Sequence, residues 1–182
     1  MLKVDFNPFP EIRTERLLLR RLKKEDVGQI FEMRSNEHVM KFIGKNLVTS
    51  IDEAMDFYNL VNNCLDNNEG VAWAITLIEF PERMIGTIGF WHLILENYRA
   101  EIGYMFLPDY WKKGLGKEAL LKIIGYGFNE MKLHSIEARI NPQNIASALL
   151  LKNTGFVKEA YFKEDFYFNG AFDDTEVYSL LA

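Results

Sequence analysis

The chain has 182 residues, 48% of them hydrophobic, 26% charged and 14% aromatic; this suits one domain with a sizeable core and excludes disordered, collagen-like and coiled-coil chains. Its 21 Lys and Arg against 26 Asp and Glu leave a formal net charge of −5, the wrong sign for a protein whose main task is gripping nucleic-acid phosphates. One cysteine, Cys64, allows no disulfide framework or cysteine-rich metal site, and no run approaches the roughly 20 apolar residues of a membrane span. Met1-Leu2-Lys3-Val4-Asp5 carries no apolar signal core. The expectation is a soluble chain of a reducing, cytoplasmic compartment, with neither nucleic acid nor membrane as a direct partner.

Thr14 to Leu22 reads as a strand, and Lys23-Lys24-Glu25-Asp26 opens a short helix with Val27, Ile30 and Phe31 on one face. Ser50-Ile51-Asp52-Glu53 matches a capping box; behind it Ala54, Phe57, Tyr58, Val61 and Leu65 recur at helical spacing. After a turn at Asn67 to Gly70 come three strands, Val71 to Ile78, Met84 to Trp91 and Arg99 to Leu107. Pro81-Glu82-Arg83 turns the chain between the first two, and Pro108 stops the third. From Gly114 to about Lys132 a helix carries an apolar stripe of Leu115, Ala119, Leu120, Ile123, Ile124, Phe128 and Met131, with Glu118 and Lys122 one turn apart on its wet face. Ser135 to Ile140 is a strand, Asn144 caps a helix through Leu151, and Gly155 ends it. Val157 to Phe168 and Ala171 to Leu181 form a hairpin about Asn169-Gly170, the preferred two-residue turn. No linker or repeat interrupts this order. The fold class is α/β (α+β): one domain over residues 1–182, with a mixed sheet and helices on its faces.

Leu107 to Ala119 is the most informative stretch, because a strand ends, a loop with two glycines follows, and a strong helix begins. The first N–H groups of a helix lack intrahelical partners and the macrodipole makes that end positive, so glycines there admit an oxyanion closely. Lys112, Lys113 and Lys117 crowd the same end, where cations oppose the dipole and are easier to explain with an anion between them. A phosphate or pyrophosphate is the expected ligand. Gly114-Leu115-Gly116-Lys117-Glu118-Ala119 matches G-x-G-x-x-A, but the dinucleotide context fails. Six residues separate strand and first glycine, three consecutive strands precede the loop, and Glu137 lies near the start of the next strand, not at its carboxyl end.

Trp111-Lys112-Lys113-Gly114-Leu115-Gly116 resembles the Q/R-x-x-G-x-G/A loop of the Gcn5-related N-acetyltransferases, apart from its first position. Thr14 to Arg20, Ala100-Glu101-Ile102-Gly103-Tyr104, Asn141 to Ser147 with Gly155-Phe156, and the aromatic closing hairpin look like the branch of ribosomal-protein N-terminal acetyltransferases. The resemblance spans roughly residues 12 to 181. It implies a mostly antiparallel sheet of about seven strands, and transfer of an acetyl group from acetyl-coenzyme A by direct attack of a primary amine, on a protein N-terminus or a small molecule. Trp111 replaces the family's Gln or Arg, and Lys112 stands where the branch often has glycine.

Carried across residue by residue, the resemblance places the cofactor on Lys112, Lys113, Gly114, Leu115, Gly116, Lys117 and Asn144. Main-chain groups of Met105, Phe106 and Leu107 meet its pantetheine arm on a strand splayed from its neighbour, and an N–H near Met105 or Phe106 polarises the thioester. Ser147 carries the general-acid role assigned in relatives. Glu101, a carboxylate in an otherwise apolar strand, is the expected general base, since burial raises a carboxyl pKa; an ion pair with Arg99 or another basic residue is its plain alternative. His92 follows a strand end and suits the acceptor pocket, His134 suits a surface turn, and His38 lies in the region that walls the acceptor site in the family. No histidine pair has metal-ligand spacing, so no metal is expected. The acceptor is expected between Met33–Phe42 and the hairpin, whose Tyr161, Phe162, Phe166, Tyr167 and Phe168 suit core or a homodimer surface better than a substrate cage. A non-catalytic acyl-coenzyme A binder and, less favoured, an NAD-dependent oxidoreductase remain as alternatives.

Overall fold

A computed structural model describes residues 1–182. In chain order the elements are β1 (Ile12–Arg13), β2 (Leu17–Arg20), α1 (Val27–Arg34), α2 (Glu37–Met40), α3 (Ile51–Asp66), β3 (Val71–Leu77), β4 (Phe80–Ile94), β5 (Arg99–Phe106), α4 (Leu115–Asn129), β6 (Ser135–Ile140), α5 (Ile145–Lys152), β7 (Val157–Phe168) and β8 (Ala171–Leu181). The strands form one sheet in the order β1-β2-β3-β4-β5-β6-β8-β7. Every neighbouring pair is antiparallel except β5 with β6. Eight strands stand where about seven were expected, because the two-residue β1 is too short to show alternation.

Local chemistry accounts for most boundaries. Ser50 caps α3 by accepting from the Glu53 N–H at 3.2 Å, while the Glu53 carboxylate reaches back to the Thr49 N–H at 2.7 Å, one residue earlier than a standard capping box. Asn36 caps the short α2, which has too few residues to show periodicity. Asn169 and Gly170 both take positive φ, 49° and 84°, as a type I′ turn requires. The turn expected at Pro81 falls instead at Ile78-Glu79, and Pro81 lies inside β4. It is tolerated there because the β3–β4 register is irregular beyond Ile75, which spares a ladder bond.

Two cores occupy the two faces of the sheet. One packs Trp73, Ile88, Phe90 and Ile102 against Leu120 and Ile123 of α4 and Leu151 of α5. The other packs Ile30, Met33, Ala54 and Val61 of α1 and α3 against Ala74 and Met84. Arg20 and Asp26 form a buried bidentate pair at 2.7 and 2.8 Å, and Asp26 also accepts from the Lys23 N–H at 2.7 Å. Asp26→Ala leaves the Arg20 charge buried without its partner and should cost about 3–5 kcal/mol of unfolding free energy, read by urea denaturation.

Candidate active site

The pairing of β5 with β6 stops after three positions, Arg99↔Ser135, Ala100↔Ile136 and Glu101↔Glu137. Beyond Glu101 the two strands part, β5 staying on β4 through Phe106 and β6 staying on β8 through Ile140. The Leu107 N–H donates to the Ile85 carbonyl at 2.9 Å. In the regular β4–β5 register this aims the main-chain groups of residues 103, 105 and 107 at β4, and those of 102, 104 and 106 into the open wedge.

This separates the residues expected to meet the pantetheine arm, keeping the Phe106 amide on the wedge side and turning those of Met105 and Leu107 toward β4. The Met105 amide faces Thr87 across the β4 ladder. The Leu107 carbonyl accepts from the Tyr110 N–H, which together with the bond to Ile85 occupies its main chain. The Phe106 carbonyl accepts from the Trp111 indole at 2.8 Å, leaving the amides of Tyr104 and Phe106 and the Tyr104 carbonyl facing the wedge. Trp111, where the family has Gln or Arg, therefore ties the loop to the end of β5.

At the wide end of the wedge sits the tip of α4. Gly114 is its N-cap with φ 77° and no side-chain cap, a conformation glycine adopts without steric cost. The N–H groups of Leu115, Gly116 and Lys117 thus point outward without an internal acceptor. Lys112, Lys113 and Lys117 are all exposed, and none of them is in an ion pair. Lys112 holds φ 58°, the left-handed conformation that explains why glycine suits this position.

Glu118 is not on a wet face with Lys122. Its carboxylate accepts from the Thr14 hydroxyl at 2.5 Å, the Arg16 N–H at 2.9 Å and the Arg16 guanidinium at 2.7 Å. Arg16 also donates to the Lys113 carbonyl at 3.0 Å. The segment before β2 therefore straps the loop to the first turn of α4, a contact across about a hundred residues that no local pattern announces. Burial alone would push the Glu118 carboxyl up, but the hydrogen bonds from Thr14 and Arg16 outweigh it and hold it below its ordinary value.

Across the wedge stands α5. Asn144 caps it by accepting from the Ser147 N–H at 3.1 Å, and the Ser147 hydroxyl lies 2.6 Å from the Tyr104 hydroxyl. Burial pushes the Tyr104 phenol up to about 12, the Ser147 hydrogen bond drawing it back in part, so the phenol keeps its proton at neutral pH. Tyr104 was missed in the sequence because its aromatic ring fits the apolar pattern of β5 without its hydroxyl being read.

On the other side of the wedge vertex is a cavity of about 380 Å³, within the usual range for small-ligand sites. Its walls are Lys41 to Lys45, the His92–Glu101 corner, the end of β6 and the β7–β8 hairpin. Glu101 is partly exposed, and its partner is His92, with Nδ1 and Oε2 2.7 Å apart. Arg99 pairs instead with Glu137. The expected wall of Met33–Phe42 contributes only Lys41 and Phe42; His38 and His134 are exposed and line no part of the cavity. Phe166 and Phe168 do line it, while Tyr161, Phe162, Tyr167 and Phe172 are exposed. Tyr161, Phe162 and Tyr167 are thus not core, Phe166 and Phe168 belong to the pocket, and the hairpin's share of the core comes from Val177 and Tyr178 of β8. Gly44, at φ 64°, lies so close to the Phe166 ring that a Cβ would sit 2.4 Å from it.

A family model described as acetyltransferase (GNAT) domain matches residues 16–157. The chain is 36% identical over 173 residues to the uncharacterized N-acetyltransferase YoaA of Bacillus subtilis, covering 95% of this chain and 97% of that one. A GNAT-family acetyltransferase from Bacillus anthracis has a similar structure, with a TM-score of 0.84 at 31% identity, covering 94% of this chain and 98% of that one. Spermidine N-acetyltransferase from Vibrio cholerae, solved with CoA and spermine, shares the fold with a TM-score of 0.81 at 23% identity, covering 92% and 96%.

Glu118→Gln should lower stability by about 1.5–3 kcal/mol at neutral pH through loss of charge-assisted hydrogen bonds. A carboxyl held below its ordinary value stabilises the fold above that value and loses the contribution as it protonates. The gap between variant and wild type should therefore close as pH falls below about 4.3, as thermal unfolding measured from pH 7 to pH 3 will show.

Proposed function

The chain belongs to the GNAT acetyltransferase family, and from that premise we propose that it transfers an acetyl group from acetyl-coenzyme A to a primary amine held in the 380 Å³ cavity. The observation carrying this reading is a continuous arrangement: unpartnered amides at the α4 tip, an open wedge between β5 and β6, and a cavity with acid–base groups at the wedge vertex. A diphosphate needs such amides and cations, and an extended arm needs strand groups left free by a neighbour that has turned away. The residues present therefore fit the cofactor.

Acetyl-coenzyme A supplies the activated acyl group as a thioester. Leu115, Gly116 and Lys117 offer their amides to the diphosphate, with Lys112 and Lys113 adding charge. The wedge-facing amides of Tyr104 and Phe106 are donors for the pantetheine arm and for the charge that develops on the thioester oxygen. Asn144 keeps its side-chain N–H₂ free for the same arm while its oxygen caps α5. Ser147, with Tyr104 behind it, supplies the proton that the departing sulfur needs.

An alkylammonium must lose a proton before it can attack, since only about one in a thousand is neutral at pH 7. The His92–Glu101 pair opens on the cavity where that proton must go. Asp173 lines the same cavity without an ion-pair partner and suits an ammonium. The acceptor class is a primary amine of a small molecule or of a peptide N-terminus.

Thermal stabilisation by acetyl-coenzyme A and not by NAD, followed by thiol release that depends on added amine, is the expected result. Tight cofactor binding without release over a panel of polyamines, alkylamines and peptides would identify a non-catalytic binder instead. Gly114→Glu puts a carboxylate at the diphosphate position and should weaken acetyl-coenzyme A binding at least about tenfold, measured by calorimetry. Ser147→Ala should lower kcat by about 10²-fold with the KM for acetyl-coenzyme A nearly unchanged.

A further inference from the structure

His92 is held in an unusual way. It takes φ 46° within β4, at the irregularity between Trp91 and Ile94 where the β4–β5 register breaks. Left-handed backbone at a residue other than glycine is strained and persists where surrounding structure enforces it. A bulge there re-aims the side chain, and the ring lands 2.7 Å from Glu101 at the cavity wall. Glu101 in turn is the last residue of β5 to pair with β6, so the two side chains stand where the wedge closes.

Resting on the acetyltransferase reading above, we propose that His92 is the general base, taking the acceptor's proton on Nε2, and that Glu101 is its positioning residue. An ionised carboxylate only accepts hydrogen bonds, so the Glu101 contact requires the proton on Nδ1 and leaves the lone pair on Nε2. Of the two side-chain types, imidazole is the better-matched base near neutral pH, because proton transfer is most efficient when the base's affinity lies close to the working pH. The other charged groups facing this corner come from every wall: Lys41 and Lys45 from the loop after α2, Arg139 from β6, Asp165 from β7, and Asp173 and Asp174 from β8. Arg139 is spent on Asp165 at 3.0 Å and Asp174 on Tyr161 and the Glu164 N–H, so none of these pairs competes for the imidazole.

The proton balance closes. The ammonium gives one proton to Nε2, and the exposed ring passes it to solvent. The nitrogen lone pair forms the C–N bond as the C–S bond breaks. The sulfur takes a proton through Ser147, and the second proton lost from nitrogen makes that good. One ammonium and one thioester become an amide, a thiol and a free proton.

The test has two arms on the full chain. In ring-nitrogen NMR the neutral His92 of the wild type should carry its proton on Nδ1, and Glu101→Gln should shift it toward Nε2; a wild-type ring protonated on Nε2 overturns the proposal without touching the acetyltransferase reading. In thiol-release assays His92→Gln should lower kcat about 10²- to 10⁴-fold with an alkylamine acceptor, leaving the KM for acetyl-coenzyme A within about twofold. With trifluoroethylamine, already neutral at pH 7, most of that defect should disappear. An equal defect with both amines, or none with either, overturns His92 as base. A wild type that releases no thiol with any amine overturns the acetyltransferase reading itself, and that outcome is told apart by the wild-type control.

Discussion

The site depends on a parallel pairing that ends early. β6 pairs along its whole length with β8, and β5 pairs with β4 at both ends with one break beside His92, but β5 and β6 touch over only three positions. Their divergence leaves a row of strand N–H and C=O groups without partners, which in an ordinary sheet would be an unpaired edge open to adventitious pairing. Here α5 stands across the opening, with Ser147 meeting Tyr104, so the edge lines a slot and is not open to another sheet. Parallel strands need a long crossover, and that crossover is α4. The same connection that makes the pairing parallel therefore brings a helix N-terminus to the mouth of the slot.

The α4 tip carries an internal conflict. Three lysines, a left-handed Lys112 and an uncapped helix start each cost stability in the free protein. The Arg16–Glu118–Thr14 network and the Trp111 tether offset this by fixing the loop from both sides without using the outward amides. Preorganised donors of this kind cost no rearrangement when an anion arrives.

On the acceptor side, the Gly44–Phe166 contact brings the loop after α2 onto the hairpin, so the cavity is walled by segments far apart in sequence. Its carboxylates and cations are nearly balanced and partly paired among themselves. In the proposed function, selectivity for an amine rests on Asp173 and the His92–Glu101 corner more than on any overall field, since the net charge of the chain is modest.

Elements whose signals are local were legible in the sequence: the Ser50 cap, the apolar stripe of α4, the Asn169-Gly170 turn and the glycine loop all depend on residues within a few positions of one another. Ordered motifs at the right separations also carried the family. What depends on distant partners was not legible. The sequence suggested Glu118 with Lys122, and for Glu101 either burial or a pair with Arg99 or another basic residue without saying which; the fold pairs them with Arg16 and His92. Strand parity turned the Met105 amide away from the wedge, a fact of register that alternation in one strand cannot reveal. The sequence alone determined the longer elements and the glycine loop that opens α4, because helix ends and turns are set by short-range geometry. Only the tertiary structure decided which side chains meet at the vertex, because those contacts are set by how β4, β5, α5 and the hairpin pack.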